Sequence, residues 1–415
     1  MYKWNEQQDM IRQAVRDFCD KEIAPNLDEI EHGDTPPYDI LRKLFSTFGL
    51  EHMAGERFDK KIAREKAEAD GEVVDEPAGA DAEGAAGLGA DAAAIAMIPV
   101  IELCRYSPGM VTAMGVSMGL TPGSIMGKGT IAQKERWARD LLTFEKVGAW
   151  AITEPDSGSD AFGQMKSSAR RDGDEYVLNG SKTFITNGPY ADTIVFICKL
   201  DEGNPPAERK ILHFVLDSGM EGLEQTKPLR KMGLHSSPTG ELFLTDVRVG
   251  IDRLLGETED MPPSAGKDST KASFTMERTG VAAMALGIVE RCLEKCVDYA
   301  KTRVQFGKPI GDYQLIQLKL AKMEVARLNL QNLVFRQIEM SADGNGMNIA
   351  EASACKYYAA NAAVEVAMEA VQLHGGNGYM AEYEVEQLAR DAKVLQIYGG
   401  TDEIQVSQIA RNILA

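Results

Sequence analysis

The chain has 415 residues, a length that predicts two or three domains. It carries 45 Lys and Arg residues against 63 Asp and Glu residues. The resulting net charge of −18 argues against binding to nucleic acid and against attachment to anionic membranes by charge alone. Hydrophobic residues make up 44% of the chain, which is enough for a sizeable core.

The cysteine and histidine residues do not indicate a metal site. The six cysteines form no CxxC pair, and even Cys292 and Cys296, one helical turn apart, are expected to be buried thiols in a reducing compartment. The five histidines are scattered, so we predict no metal site. The first ten residues have no apolar core, and no segment approaches about 18 uninterrupted apolar residues. We therefore expect neither a targeting peptide nor a transmembrane helix, and predict a cytoplasmic protein.

Residues 1–146 are predicted to form a helical domain. Apolar residues recur at three- and four-residue spacings after Trp4, and a second helix is predicted after Pro36 and Pro37. Residues 55–91 interrupt this pattern, because they are first charged and then rich in Ala, Gly, Asp and Glu. We predict an acidic insertion or mobile loop there, with a lid or a partner-docking segment as the alternative.

The hydrophobic pattern changes twice after residue 146. Short β-branched or aromatic runs, separated by turn residues, predict a small antiparallel β domain over residues 147–256. The predicted strands include 176–178, 194–198, 211–216 and 242–249. Helical spacing then predicts a helical domain over residues 257–415, with long helices at 275–302, 312–341, 349–374 and 382–396. The predicted fold class is therefore multidomain α+β.

Two segments of the β domain combine hydroxyl groups, glycines and turn residues. The first reads AITEPDSGSD over residues 151–160, and the second reads NGSKTFITNG over residues 179–188. Loops of this composition can present N–H groups and hydroxyls to an oxygen-rich ligand, although a solvent-facing turn has a similar composition.

Further segments follow these two in order along the chain. They are KMG at 231–233 with Ser236 and residues 239–249, RVQFGK at 303–308 with Gln314, QLHGGNG at 372–378, RDAK at 390–393 and IYGGTDEI at 397–404. Together the segments resemble the acyl-CoA dehydrogenase family of flavoproteins over most of the chain. The resemblance implies an N-terminal α-helical domain, a middle β-sandwich or barrel domain, and a C-terminal four-helix bundle. It also implies FAD, a fatty or branched acyl-CoA thioester as in β-oxidation, electron transfer flavoprotein as the oxidant, and a homotetramer built as a dimer of dimers.

The resemblance assigns roles to individual residues. The implied FAD contacts are Ile152, Thr153, Ser159, Phe184, Thr186, Arg303, Phe306, Gln314, Gln372, Gly376, Thr401 and Glu403. Phe184 stands where the family often has Trp, and it offers the flavin an apolar face without an indole N–H. Arg303 matches the guanidinium that meets the pyrophosphate of a neighbouring subunit's FAD. The implied substrate contacts are Ser159, Arg278, Tyr398 and Gly399, and for Arg278 a purely structural role is the alternative.

The implied reaction requires a catalytic base, because it removes a proton from the α-carbon of the thioester. Many members place a glutamate directly after the tyrosine of the C-terminal signature, where this chain has Gly399. Isovaleryl-CoA and long-chain dehydrogenases instead carry the glutamate on the first long C-terminal helix, and Glu277 matches that position. We predict Glu277 as the base, with a solvated helix glutamate as the alternative. The rival Glu403 is expected near a helix start.

Two consequences follow from glycine at position 399. Its backbone N–H remains available to hold the thioester carbonyl oxygen, and the volume left free favours a branched or bulky acyl group. Two alternatives to a working dehydrogenase stay open: a non-catalytic or half-site subunit of a heteromeric assembly, and a related acyl-CoA flavin oxidase.

Overall fold

The N-terminal part of the chain is helical. The computed structural model describes residues 2–71, 90–260, 269–342 and 346–415, with only the backbone described at 269–276 and 342. The N-terminal helices are α1 (Glu6–Phe18), α2 (Leu27–His32), α3 (Tyr38–Phe48), α4 (Leu50–Ala69), α5 (Ala90–Cys104), α6 (Pro108–Gly115), α7 (Thr121–Lys128), α8 (Ile131–Gln133) and α9 (Arg139–Leu142). A reciprocal pair of hydrogen bonds between Asn5 and Gln8 caps the start of α1.

The prediction of a mobile loop is wrong for residues 55–69, while the prediction of an insertion stays a prediction. They lie in α4, where Phe58 and Ile62 are buried and pack in one hydrophobic cluster with Trp137. Two apolar residues four positions apart suffice to anchor one face of a helix, and the charged residues between them occupy its exposed side. The charged composition had concealed this narrow apolar face. Residues 72–89 of the predicted insertion lie outside the described residues, and α5 begins at Ala90.

The middle of the chain forms one mixed sheet. Its strands are β1 (Gly148–Ala151), β2 (Ser168–Asp172), β3 (Glu175–Thr186), β4 (Thr193–Leu200), β5 (Ile211–Asp217), β6 (Leu223–Gln225) and β7 (Thr239–Gly250). They are ordered β1-β4-β2-β3-β7-β6, with β5 also on β4. The antiparallel prediction is correct for most pairs but wrong for β1–β4 and β2–β4, which are parallel. Alternating hydrophobicity marks a strand but does not encode the direction of its partner.

Long helices return after the sheet. They are α10 (Ser269–Thr302), α11 (Gln314–Ala342), α12 (Ile349–His374), α13 (Val385–Lys393) and α14 (Asp402–Leu414), with a small hairpin of β8 (Val304–Gln305) and β9 (Lys308–Pro309) before α11. Buried residues of α5, such as Ile101, and of α10, such as Leu286, belong to one hydrophobic cluster. The N-terminal and C-terminal helices therefore share a core. Within the described residues, no helix combines the length and apolarity needed to cross a membrane.

All six cysteines are free and buried, as expected. Burial raises the pKa of Cys296 to about 12, so this thiol remains protonated and unreactive at neutral pH.

Helices α5 and α10 approach each other closely at Gly287. A methyl group at this position would overlap the carbonyl oxygen of Ile101 and lie 2.8 Å from Cβ of Cys104. Only glycine permits this backbone approach. The contact fixes the distance between α5 and α10. It thereby also positions the first part of α10, which carries Glu277.

We expect Gly287→Ala to destabilise the protein by about 1–3 kcal/mol, because the added methyl group forces α5 and α10 apart. The matched control is Gly280→Ala in the same helix, where a methyl group would meet no atom within 4 Å. The control should be neutral or slightly stabilising, because alanine favours a helix. Thermal unfolding followed by circular dichroism measures both, and equal midpoints for the two variants would contradict the packing argument.

Candidate active site

The two predicted positions for the base lie side by side. Glu277 is on α10, and Gly399 is in the turn that precedes α14, with a φ of 62°. A methyl group on Gly399 would lie 3.4 Å from both Cδ and Oε1 of Glu277. The Glu277 carboxyl group therefore borders the space that a side chain at position 399 would fill.

Burial and nearby charges shift the pKa of Glu277 in opposite directions. Burial around the carboxyl group raises the pKa of Glu277, and the positive charges of Arg278 and Lys356 oppose this rise. A carboxylate with a raised pKa is a stronger base than an ordinary glutamate. The two cations favour the ionised form that base chemistry requires.

Arg278 and Tyr398 border the same region. Arg278 is buried, and its Nη1 donates a hydrogen bond to Oγ of Ser353 at 3.1 Å. Tyr398 is half-buried, and its hydroxyl lies 3.3 Å from Sδ of Met284. Burial raises the pKa of Tyr398 far above the neutral range, so the phenol is uncharged. The contact with Ser353 gives Arg278 a structural role, while its predicted contact with substrate remains a prediction.

The predicted FAD contacts of the middle sheet gather at one end of it. The N–H of Thr183 donates to the carbonyl oxygen of Thr153 at 2.9 Å, which places Ile152 and Thr153 beside Phe184. Phe184 has a φ of 56° in an irregular part of β3, and 68% of it is exposed. Thr186 ends β3. Ser159 is exposed in the loop that follows Thr153.

A buried ion pair that the sequence analysis missed supports this end of the sheet. Nζ of Lys182 donates to Glu154 at 2.8 Å and to the carbonyl oxygen of Ile152 at 3.0 Å. Burial disfavours the charge of Glu154, but hydrogen bonds from Lys182, Ser167 and Lys166 outweigh it and hold its pKa below the ordinary value. Both residues stand inside the two quoted motifs. A glutamate within residues 151–160 and a lysine within residues 179–188 were the features of the sequence that could have indicated this ion pair.

The remaining predicted FAD contacts form two separate groups. The first group lies near the end of α10 that is remote from Glu277. Its members are all exposed, and they are Arg303, Phe306, Gln314, Gln372 and Gly376. Tyr299 joins the two elements that carry them, because its ring stacks on His374 at 4.3 Å and its hydroxyl accepts a hydrogen bond from Asn377 at 3.0 Å. Thr401 and Glu403 belong to the start of α14, where Thr401 is the N-cap and Glu403 lies in the first turn, as expected.

The length of α10 separates the Arg303 group from Glu277. Thr302, the last residue of α10, lies 25 residues after Glu277, which corresponds to a rise of about 38 Å along the helix. Phe306 is 94% exposed, with a φ of 53°. Within the described residues, the side chain of Arg303 forms no ion pair. One chain thus presents two distant sets of predicted cofactor contacts.

The structure fits a flat aromatic cofactor at the sheet. An exposed phenylalanine in a left-handed backbone conformation is costly on a surface that stays in contact with water. A flavin ring placed against Phe184 would bury that face, and the neighbouring hydroxyls of Thr153 and Thr186 match the polar edge of such a ring. FAD, which the sequence resemblance implies, contains such a ring.

Comparison with known proteins supports the same interpretation. Family models for the acyl-CoA dehydrogenase N-terminal, middle and C-terminal domains match residues 5–54, 149–247 and 264–414. The chain is 35% identical to the 3-(aryl)acrylate reductase of Clostridium sporogenes, with 99% of each chain covered. It is 37% identical to an acyl-CoA dehydrogenase of Bacillus subtilis, with 99% of this chain and 98% of the relative covered.

Among solved structures, butyryl-CoA dehydrogenase from Megasphaera elsdenii superposes with a TM-score of 0.83 at 32% identity, covering all of both chains. This similarity extends over the helical regions and the sheet together. The chain therefore belongs to the acyl-CoA dehydrogenase family of oxidoreductases.

Proposed function

We propose that the protein catalyses the FAD-dependent α,β-dehydrogenation of an acyl-CoA thioester to a trans-2-enoyl-CoA. Glu277 takes the α-proton. Bound FAD would supply the acceptor for the β-hydride, and electron transfer flavoprotein would be the oxidant that restores it. The observation that carries this proposal is the position of the Glu277 carboxyl group beside Gly399.

The residues of the chain divide the proton chemistry between them. Glu277 removes the α-proton as a carboxylate, and the raised pKa of this group increases its basicity. The N–H of Gly399 holds the thioester carbonyl oxygen, where negative charge develops as the proton leaves. Because position 399 has no side chain, Glu277 can approach the α-carbon, and a branched or bulky acyl group has room beside it.

Two sets of residues would hold FAD, supplied by different subunits. Ile152, Thr153, Ser159, Phe184 and Thr186 would bind the flavin end within one chain. Arg303 and its neighbours lie about 38 Å from Glu277 along α10, so they are better placed to bind the dinucleotide of a second copy. The guanidinium of Arg303 provides a planar cation for its pyrophosphate.

A row of exposed apolar residues on α11 supports a homotetramer. Leu315, Leu318, Val325 and Leu328 are exposed and lie on one side of the helix. Apolar residues grouped in this way are typical of a surface that another protein covers. A second copy of this chain is the proposed occupant, because Arg303 and Phe306, which would contact the other subunit's FAD, immediately precede α11.

A second candidate function is the reverse reaction, the reduction of an unsaturated thioester. A relative that matches along its whole length is named 3-(aryl)acrylate reductase. The same base and N–H donor would then act in reverse, with protonated Glu277 returning a proton to the α-carbon of an unsaturated thioester. The redox partner decides the direction, so saturated and aryl-acrylyl thioesters both belong in the substrate panel.

We expect Glu277→Gln to retain FAD and to lower the rate of flavin bleaching by acyl-CoA at least about 100-fold, because the amide cannot accept the α-proton. Anaerobic titration with straight-chain, branched and aryl thioesters measures the rate. The matched control is Glu6→Gln, an exposed glutamate in the first turn of α1, which should bleach at the native rate. Equal rates for Glu277→Gln and the native protein would exclude Glu277 as the base. Bound FAD that no thioester bleaches would favour the partner-subunit alternative, and rapid reoxidation by oxygen would favour the oxidase.

The pH dependence of bleaching provides a second prediction. Glu277 acts as a carboxylate and its pKa is raised in the folded protein, so the rate is full above this pKa and falls as the pH drops through it. We expect the acid limb to lie above the ordinary glutamate value of 4.5. Stopped-flow bleaching at constant FAD occupancy measures the limb. A limb at or below 4.5 would contradict the burial argument.

The proposed interface predicts that oligomerisation and FAD retention are linked. We expect Leu315→Lys combined with Leu318→Lys to lower the mass from that of four chains and to release FAD, because the charges disrupt the apolar surface. Analytical ultracentrifugation with flavin absorbance follows both quantities. Met10→Lys, at an exposed methionine on α1, is the control and should change neither. An unchanged mass in the double variant would exclude this face of α11 as an interface.

A further inference from the structure

The turn that carries Gly399 depends on its surroundings for its shape. Gly399 and Gly400 both have positive φ values, 62° and 89°. Neither has a side chain to pack, and glycine has the largest conformational freedom of any residue. The direction of the Gly399 N–H therefore depends on what binds the neighbouring carbonyl groups.

Two buried side chains bind these carbonyls. Nζ of Lys356, on α12, donates to the carbonyl oxygen of Gly400 at 2.8 Å, and its side chain has 0% exposure. Nε2 of the buried Gln405 donates to the carbonyl oxygen of Gly399 at 3.1 Å and of Gly400 at 2.7 Å. The turn is thus held from the α12 side and from α14.

Helix α12 also holds the residues on either side of the turn. Nδ2 of Asn361 donates to Asp402 at 2.9 Å, and Oδ1 of Asn361 accepts a hydrogen bond from Gln396 at 2.9 Å. The other oxygen of Asp402 lies 3.6 Å from Nζ of Lys356. Lys356 and Asn361 therefore fix the turn at its centre and at both ends.

We propose that Lys356 is a positioning residue for the proposed reaction: its ammonium group fixes the Gly399–Gly400 turn beside Glu277 and favours the carboxylate form of that base. This inference rests on the proposed function. A neutral hydrogen-bond donor could hold the turn, but only a cation also favours the negative charge on Glu277.

The charged groups around Lys356 and Glu277 determine in which direction a change at Lys356 moves the protonation of Glu277. Arg278 on α10 and Lys356 on α12 both lower the pKa of Glu277, against the larger effect of burial. Burial lowers the pKa of Lys356, while Asp402 and Glu277 raise it and Arg278 lowers it further. The adjacent Tyr398 is uncharged. Removing the Lys356 charge therefore moves the protonation of Glu277 to higher pH.

The test uses the FAD-loaded enzyme and acetoacetyl-CoA, a thioester whose acidic α-proton can leave without any hydride transfer. The ultraviolet absorbance of its enolate, measured against pH, reports the base and the Gly399 N–H together. We expect Lys356→Met to move the midpoint to higher pH and to lower the rate of flavin bleaching about 10- to 100-fold. Lys356→Arg, which keeps the charge, should restore the midpoint.

The matched control is Lys199→Met. Lys199 is also buried, and its Nζ also donates to a backbone carbonyl, that of Gly163, at 3.0 Å. The control removes a comparable hydrogen bond in the sheet, so it should leave the enolate midpoint in place. If both lysine variants shifted the midpoint equally, loss of stability would explain the result and the inference would be overturned.

Lys356→Gln offers the carbonyl oxygen of Gly400 a neutral hydrogen-bond donor but removes the positive charge, so it should also move the midpoint to higher pH. This variant decides the matter if Lys356→Met does not fold, since an unchanged midpoint in Lys356→Gln would overturn the inference. A different result is expected if the proposed function itself is wrong. In that case the native enzyme itself would form no enolate and no thioester would bleach it.

Discussion

The candidate active site depends on one steric constraint: a carboxyl group and a side chain at position 399 cannot occupy the same space. Glu277 lies where a methyl group on Gly399 would already be in contact with it, at 3.4 Å. A larger side chain at 399 would displace the carboxyl group. The constraint is set by the close approach of α5 and α10 at Gly287, which positions α10, and by the turn before α14. Packing thus decides which element can supply the proposed base.

The length of α10 has a consequence for assembly. The helix carries Glu277 near one end and leads into the Arg303 hairpin at the other, about 38 Å away. An aromatic ring as exposed as Phe306, on a left-handed backbone, is unfavourable in an isolated chain. Both features are explained if each chain completes the cofactor site of another. The apolar residues of α11 begin directly after this hairpin, so one interface would bury them and deliver Arg303 together.

The helices, most strands and the neighbourhood of Glu277 and Gly399 could be predicted from the sequence, because periodicity marks amphipathic elements and the motifs are distinctive. The parallel partners of β4 could not, since strand direction depends on pairing between segments far apart in the chain. Helix α4 was missed because only Phe58 and Ile62 mark its buried face. Lys182 and Lys356 were missed because a single lysine in a sequence is normally solvated, and only the fold shows that both are buried.

A buried lysine is an inefficient way to stabilise a fold. Removing an ammonium group from water costs several kcal/mol, and well-packed apolar residues often replace buried ion pairs with no loss of stability. Holding the turn does not require a charge either, because Gln405 already binds both carbonyls as a neutral amide. What Lys356 adds is a positive potential at a carboxyl group whose burial favours protonation. Burial makes Glu277 a stronger base but reduces the fraction that is ionised, and a nearby cation partly restores that fraction. The cost in stability is therefore best understood as the cost of keeping the proposed base, Glu277, charged.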